Sequence, residues 1–145
     1  MNILVTGGLG FIGSSLVEQL VKKNHKVFVI DNLSTGSKNN RTNSVSYFYY
    51  DLKKFIMKKQ ELANFLKKKK VEIIFHLAAN SSVSGTVENP NEIIEENLNV
   101  SIALIEATKG TSVKKFIFAS TSAVYGEPIY LPVDENHPTN PLSPY

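Results

Sequence analysis

Between an apolar run at the N-terminus and the first amphipathic segment lies Thr-Gly-Gly-Leu-Gly-Phe-Ile-Gly-Ser, residues 6–14. It contains G-x-G-x-x-G (Gly8, Gly10, Gly13) and, in another frame, G-x-x-G-x-x-G (Gly7, Gly10, Gly13). Glycines at this spacing, between a strand and a helix, make a tight turn, bring backbone N–H groups up to a pyrophosphate and seat the helix close on the sheet. A glycine triplet alone can also serve only to pack helix on sheet. Gly8 and Gly13 are spaced as in a triphosphate-binding P-loop, but that loop needs Lys directly after the second glycine and Ser14 stands there, so nucleoside triphosphate hydrolysis drops out. Asp31 ends the next apolar run. A carboxylate at that place can accept hydrogen bonds from ribose hydroxyls and repels a 2′-phosphate, which favours NAD over NADP. It can equally open an Asx-type turn that Asn32 and Ser34 continue.

The elements that must position these residues follow from periodicity. Ile3 to Val5 read as a short buried strand, and in FIGSSLVEQLVKKNH the residues Phe11, Ile12, Ser15, Leu16, Gln19 and Leu20 fall at helical spacing, with Lys22 and Lys23 at the end where cations suit the helix dipole. KVFVID is a second strand, which completes a βαβ unit. After the polar loop NLSTGSKNNRTNS come a third strand (VSYFYYD), an amphipathic helix over residues 55–69, a fourth strand (VEIIFHLAA), a long helix (NPNEIIEENLNVSIALIEATK) and a fifth strand (KKFIFAST). Strands apolar throughout and alternating with helices predict a parallel sheet covered on both faces. From Tyr125 onward the pattern dissolves into a stretch with five of the six prolines, the composition of a functional loop.

Composition bounds the rest. At 145 residues, 42% hydrophobic and 20% charged, the chain has the make-up of one soluble globular domain. Its net charge of +3 is mild, the lysines gather mainly at 53–70, and no recognition motif accompanies them, so no nucleic-acid partner is expected. The run Lys67 to Lys70 fits a solvated helix end. With no Cys there is no disulfide or thiol chemistry, and the short apolar start is neither a signal peptide nor a membrane span, so a cytoplasmic protein without a membrane partner is expected. His76, at a strand end with no second His or carboxylate at ligand spacing, reads as a hydrogen-bonded core residue, and no metal is expected. Tyr47, Phe48, Tyr49 and Tyr50 read as a strand with aromatic faces.

Six segments taken in order resemble one family: TGGLGFIGSSL, DNLSTG, Asp51-Leu52, HLAANSSV, FIFASTSAVYGE and PTNPLSPY. Together they are similar to the extended short-chain dehydrogenase/reductases and, within these, to the NAD-dependent nucleotide-sugar epimerases and dehydratases, most of all the UDP-glucose 4-epimerases. The resemblance implies an α/β doubly wound parallel sheet, the Rossmann fold, incomplete at its C-terminal end. Residues 1–145 would form one NAD-binding domain ending at the catalytic tyrosine, with no substrate domain. By the same resemblance Gly7, Gly10, Phe11, Ile12 and Gly13 hold the pyrophosphate, Asp31 the ribose, and Asn32, Ser34 and Gly36 the adenosine side. Asp51 meets the adenine amino group with Leu52 in backbone contact, Leu77, Ala78 and Ala79 line the nicotinamide side, and Asn97 keeps a positional role. Without the family, Leu77 to Ala79 fit helix–strand packing equally well.

Counting back three residues from the valine of VYG, the family's hydroxyl falls on Thr121, where it would bond the reacting sugar oxygen; Ser120 and Ser122 flank it, and a Ser/Thr cluster at a strand end is also a common turn. The family's N-x-x-G-T reads here Asn97-Leu98-Asn99-Val100-Ser101, so packing at Val100 must differ. Tyr145 matches the tyrosine of Y-x-x-x-K, the catalytic base, and the sequence stops before the lysine. A free phenol titrates near pH 10, so a base working at neutral pH needs a shift of about three units, about 4 kcal/mol, which that lysine helps supply. The expectation is therefore the cofactor-binding part of a nucleotide-sugar 4-epimerase that oxidises sugar C4 transiently, inactive as these 145 residues alone, with a nucleotide sugar as substrate partner and a homodimer left open. A dehydratase or decarboxylase of the same family stays as the alternative, although Ser122 stands where dehydratases carry an acid. A non-catalytic NAD-binding module is the other.

Overall fold

A computed structural model describes residues 1–81 and 89–145. Five strands, β1 (Asn2–Thr6), β2 (Lys26–Asp31), β3 (Ser46–Tyr49), β4 (Ile73–His76) and β5 (Lys115–Phe118), form one sheet in the order β3-β2-β1-β4-β5. All four pairings are parallel. That order runs outward from β1 in both directions, which is the doubly wound arrangement. Register places Thr6 between Ile30 and His76, so the polar ends of β1 and β4 finish level with one another.

Successive side chains of a strand face opposite ways, and the two cores follow from this. Leu4, Phe28, Ile30 and Ile74 point to one face and pack with Leu62, Leu66, Val100 and Leu104; Ile3, Val5, Val27 and Val29 point to the other and pack with Leu9, Val17 and Leu20. Each such side chain buried contributes about 1.5–3 kcal/mol. The first face is covered by α2 (Lys54–Met57), α3 (Lys59–Lys69) and a helix described below; the second is covered by α1 (Phe11–Lys22).

Four details depart from the expectations. In α1 the residues that pack inward are Gly13, Val17 and Leu20, whereas Phe11 and Ile12 are 91% and 67% exposed. The apolar stripe therefore starts one turn later than spacing alone suggests. The helix expected over 55–69 is broken at Lys58 (φ −123°, ψ 41°), a bend that lets Phe55 of α2 reach the same core as Leu62 and Leu66 of α3. The long helix after β4 is three pieces: α4 (Pro90–Ile93), a π-helical segment (Ile94–Asn99) and α5 (Val100–Ala107). Single wide turns of this kind are found mostly at functional sites. At the end of α3, Lys69 is not simply solvated: its ammonium lies 5.6 Å from the Phe28 ring centre and 5.4 Å from that of Phe48. β3 and β5 are the sheet edges, and Ile117 and Phe118 on β5 are 40% and 57% exposed.

Candidate functional site

At the carboxyl ends of the strands, where a doubly wound sheet opens between its two halves, lies a crevice of about 800 Å³. The turn after β1 forms its centre. Gly7 (φ +69°) donates its N–H to Ile30 O at 2.9 Å, and a Cβ placed on it would meet Ala78 N at 2.8 Å, so the turn lies directly on the main chain leaving β4. Gly13 is seated more tightly still: a Cβ there would fall 2.1 Å from Gly7 O. Gly10 differs, because its added Cβ would meet only Gly7 O at 3.4 Å and would otherwise stand in the crevice. A side chain at Gly10 would fill the space a ligand needs. α1 begins with no side-chain cap and no acidic residue in its first turn, so its N-terminal amides and dipole are left uncompensated.

On the β2–β3 side, Asp31 is buried and lines the crevice. Its Oδ2 accepts from Leu9 N–H at 2.9 Å and its Oδ1 from Leu33 N–H at 2.8 Å. The Asx-type turn and the crevice wall are thus the same residue, and each carboxylate oxygen keeps a further lone pair. Gly36 does not line the crevice but approaches this carboxylate so closely that a Cβ would lie 3.0 Å from Oδ1. Asn32 Oδ1 accepts from Ser34 N–H at 3.0 Å, and Asp51 Oδ1 accepts from Lys53 N–H at 2.9 Å. Asn32, Ser34, Asp51 and Leu52 all line this side, joined by Tyr50, expected only as part of an aromatic strand, and by Thr35 and Lys53, which were not expected at a site.

On the β4–β5 side the wall is made by Leu77, Ala78 and Ala79 with Ala119, Ser120 and Tyr145. Thr121 does not line it: its Oγ1 accepts from Ala123 N–H at 3.2 Å and caps a 3₁₀ turn over Ser122–Tyr125. Of Ser120, Thr121 and Ser122, it is Ser120 that lines the crevice. Asn97 is also set back, and its amide spans the main chain of Asn80, accepting from Asn80 N–H at 2.8 Å and donating to Asn80 O at 2.9 Å. Beside it, Glu96 accepts from Lys53 Nζ at 2.7 Å and from Asn80 Nδ2 at 2.8 Å. The Lys53 ammonium holds the Glu96 carboxyl below its ordinary range, and Glu96 in turn raises Lys53. Nothing local in the sequence announces this pair, because its members are 43 residues apart. Of the segment HLAANSSV, Ser82 and Val83 lie outside the described residues.

Residues 3–145 match the model of the family described as NAD dependent epimerase/dehydratase. The chain belongs to this family. A Methanocaldococcus jannaschii protein named provisionally as a UDP-glucose 4-epimerase is 46% identical over 146 residues, covering 99% of this chain and 46% of that protein. Among solved structures, Thermus thermophilus UDP-glucose 4-epimerase in complex with NAD superposes with a TM-score of 0.88 at 39% identity, over 100% of this chain and 46% of its own. The Thermotoga maritima UDP-glucose 4-epimerase with UDP-glucose does so with a TM-score of 0.89 at 37% identity, again over 100% and 46%. The chain therefore spans a little under half the length of the relatives it matches. Among the described residues no helix is long and apolar enough to cross a membrane.

Proposed function

We propose that this chain is the cofactor-binding part of a cytoplasmic NAD-dependent nucleotide-sugar 4-epimerase that works by transient oxidation at sugar C4. The observation that carries it is the joint placement of the Gly7–Gly13 turn and the Asp31 carboxylate on one crevice at the strand ends, in a chain whose relatives include 4-epimerases solved with NAD and with a UDP-sugar. The open side of Gly10 leaves room for a pyrophosphate against the amides of Phe11, Ile12 and Gly13. Asp31, held by two backbone donors, turns its remaining lone pairs to a ribose diol. Asp51 and Leu52 flank the adenine, and Leu77, Ala78 and Ala79 form the floor under the nicotinamide half. Gly36 keeps the approach to Asp31 narrow, and Asn97 holds Asn80 in place.

NAD, when bound, supplies the hydride acceptor and donor for sugar C4. The chain's own part is proton handling and orientation. In the whole protein Tyr145, on the β4–β5 side, would act as its phenolate, taking the proton of the sugar 4-hydroxyl to become the phenol and giving it back when the alcohol is restored. Ser120 or Thr121 orients that hydroxyl. Of these two, Ser120 borders the crevice while the Thr121 oxygen already accepts a backbone N–H. Titration calorimetry with NAD and with NADP tests the cofactor reading: NAD is expected to bind about tenfold or more tightly than NADP, because the 2′-phosphate would face the Asp31 carboxylate. Equal affinities, or no binding of either, would remove its basis.

A further inference from the structure

His76 is used by none of the roles above, yet it is a polar side chain buried at the end of β4, 2% exposed, against the rings of Phe116 and Phe118. Its two nitrogens are both engaged, and the direction of every bond around them can be read. Ser101 Oγ donates its single proton to Asn97 O at 2.6 Å, so it can only accept from His76 Nε2–H, at 3.0 Å. With the proton on Nε2, Nδ1 is an acceptor, and Thr6 Oγ1 donates to it at 2.6 Å. Thr6 Oγ1 in turn accepts from Ala78 N–H at 3.3 Å. The chain Ala78 → Thr6 → His76 → Ser101 → Asn97 thus runs in one direction beneath the crevice, and at its far end Asn97 grips both main-chain groups of Asn80. The two ends of this chain hold residues 78 and 80, and both border the crevice.

We infer that His76 is a positioning residue: through Thr6 on one side and Ser101 with Asn97 on the other, it fixes the main chain of Ala78 to Asn80 as the floor for the nicotinamide half of the cofactor. The inference rests on the proposed NAD site. Burial keeps the imidazole neutral, as the single-direction chain requires. A protonated ring would offer Thr6 a donor where it needs an acceptor, and a swapped tautomer would leave the Ser101 contact with two acceptors. A simple packing histidine would not need the tautomer fixed, nor would its neighbours' hydroxyls matter beyond their volume.

The test uses the 145-residue chain, two ligands and two variants at Thr6. ADP-ribose lacks the nicotinamide, so it reports the adenosine and pyrophosphate contacts alone. Thr6→Val keeps the shape and removes the hydroxyl, leaving Ala78 N–H and His76 Nδ1 without their partner; NAD affinity is expected to fall about tenfold while ADP-ribose changes less than about twofold. Thr6→Ser returns the hydroxyl and is expected to restore the NAD to ADP-ribose ratio. Equal losses for both ligands, or a Thr6→Ser protein as impaired as Thr6→Val, would overturn the assignment. In the unliganded wild type, long-range proton–nitrogen NMR correlations should show His76 protonated on Nε2 only at pH 7; an Nδ1–H tautomer or an imidazolium would overturn it with no ligand involved. Wild-type protein that binds neither ligand while His76 has the expected tautomer would refute the cofactor reading and this floor assignment with it, an outcome distinct from the variant results.

Discussion

Lowering the pH from 7 to 5 is expected to remove about 2 kcal/mol of folding stability through His76 alone. Burial depresses this imidazole from 6.5 to about 4 in the folded chain. The unfolded chain therefore takes up a proton at a pH where the folded one does not, and stability present above pH 6.5 is lost as the pH falls toward 4. Integrated over the whole window the difference in pKa is worth about 3 kcal/mol, most of it between pH 6.5 and 4. The carboxyls held below their ordinary values of 4.5 (Glu72, Glu96, Glu106) and 3.8 (Asp134) act in the same direction, mainly at lower pH, and they are common to wild type and variant, so the comparison isolates the histidine. The assay is urea unfolding of the wild type and of His76→Gln at pH 7 and pH 5. Gln cannot titrate, and the other two histidines, His25 and His137, are common to both proteins, so their contributions cancel in the comparison. The wild type should lose about 2 kcal/mol more than the variant between the two pH values. Equal losses in the two proteins would mean that His76 is not shielded from water as described.

Further outcomes test other contacts. Gly13→Ala would drive a Cβ into Gly7 O, and thermal unfolding should show a loss of about 3 kcal/mol or more, far beyond the usual cost of a surface alanine. Lys53→Met removes the ammonium that stabilises the Glu96 carboxylate; NMR titration should show the Glu96 carboxyl moving up toward its ordinary range, while global stability changes by less than about 1 kcal/mol because the pair is partly solvated. Thr121→Ala should cost about 1 kcal/mol in denaturant unfolding through loss of the turn cap. Ser120→Ala, whose hydroxyl caps nothing among the described residues, should leave stability within about 0.5 kcal/mol and show its effect in turnover by the whole protein.

The sheet was legible because the strands are largely apolar and the first four are each followed by a helical period, the pattern of a covered parallel sheet. Gly7 and Gly13 were legible because the main chain comes too close to them for any other residue, and Gly10 because a side chain there would fill the crevice, so the constraint is written in residue type. Asp31 was legible from its place at a strand end, and the carboxylate that makes the foreseen turn also lines the crevice. The break at Lys58 and the wide turn at Ile94–Asn99 were not, since both keep the helical spacing of apolar residues and shift only the phase. Lys53, Glu96 and Asn80 escaped notice because their partners come from distant segments. At Thr121 the difficulty was one of orientation: adjacent residues at the end of a strand point in opposite directions, and the count from Val124 cannot tell which hydroxyl turns toward the crevice.

The contact of the first glycine turn with the fourth strand has a consequence for how the chain comes to its native state. Thr6 and His76 are separated by 70 positions, and the ledge they share does not exist until that long loop has closed. Nascent chain or partly folded species would have no seat for a dinucleotide, however well formed α1 and β2 were. A ligand taken up there would bind the native ensemble alone, so it should raise the midpoint of global unfolding in proportion to the logarithm of its concentration and leave fraying of the outer strands untouched.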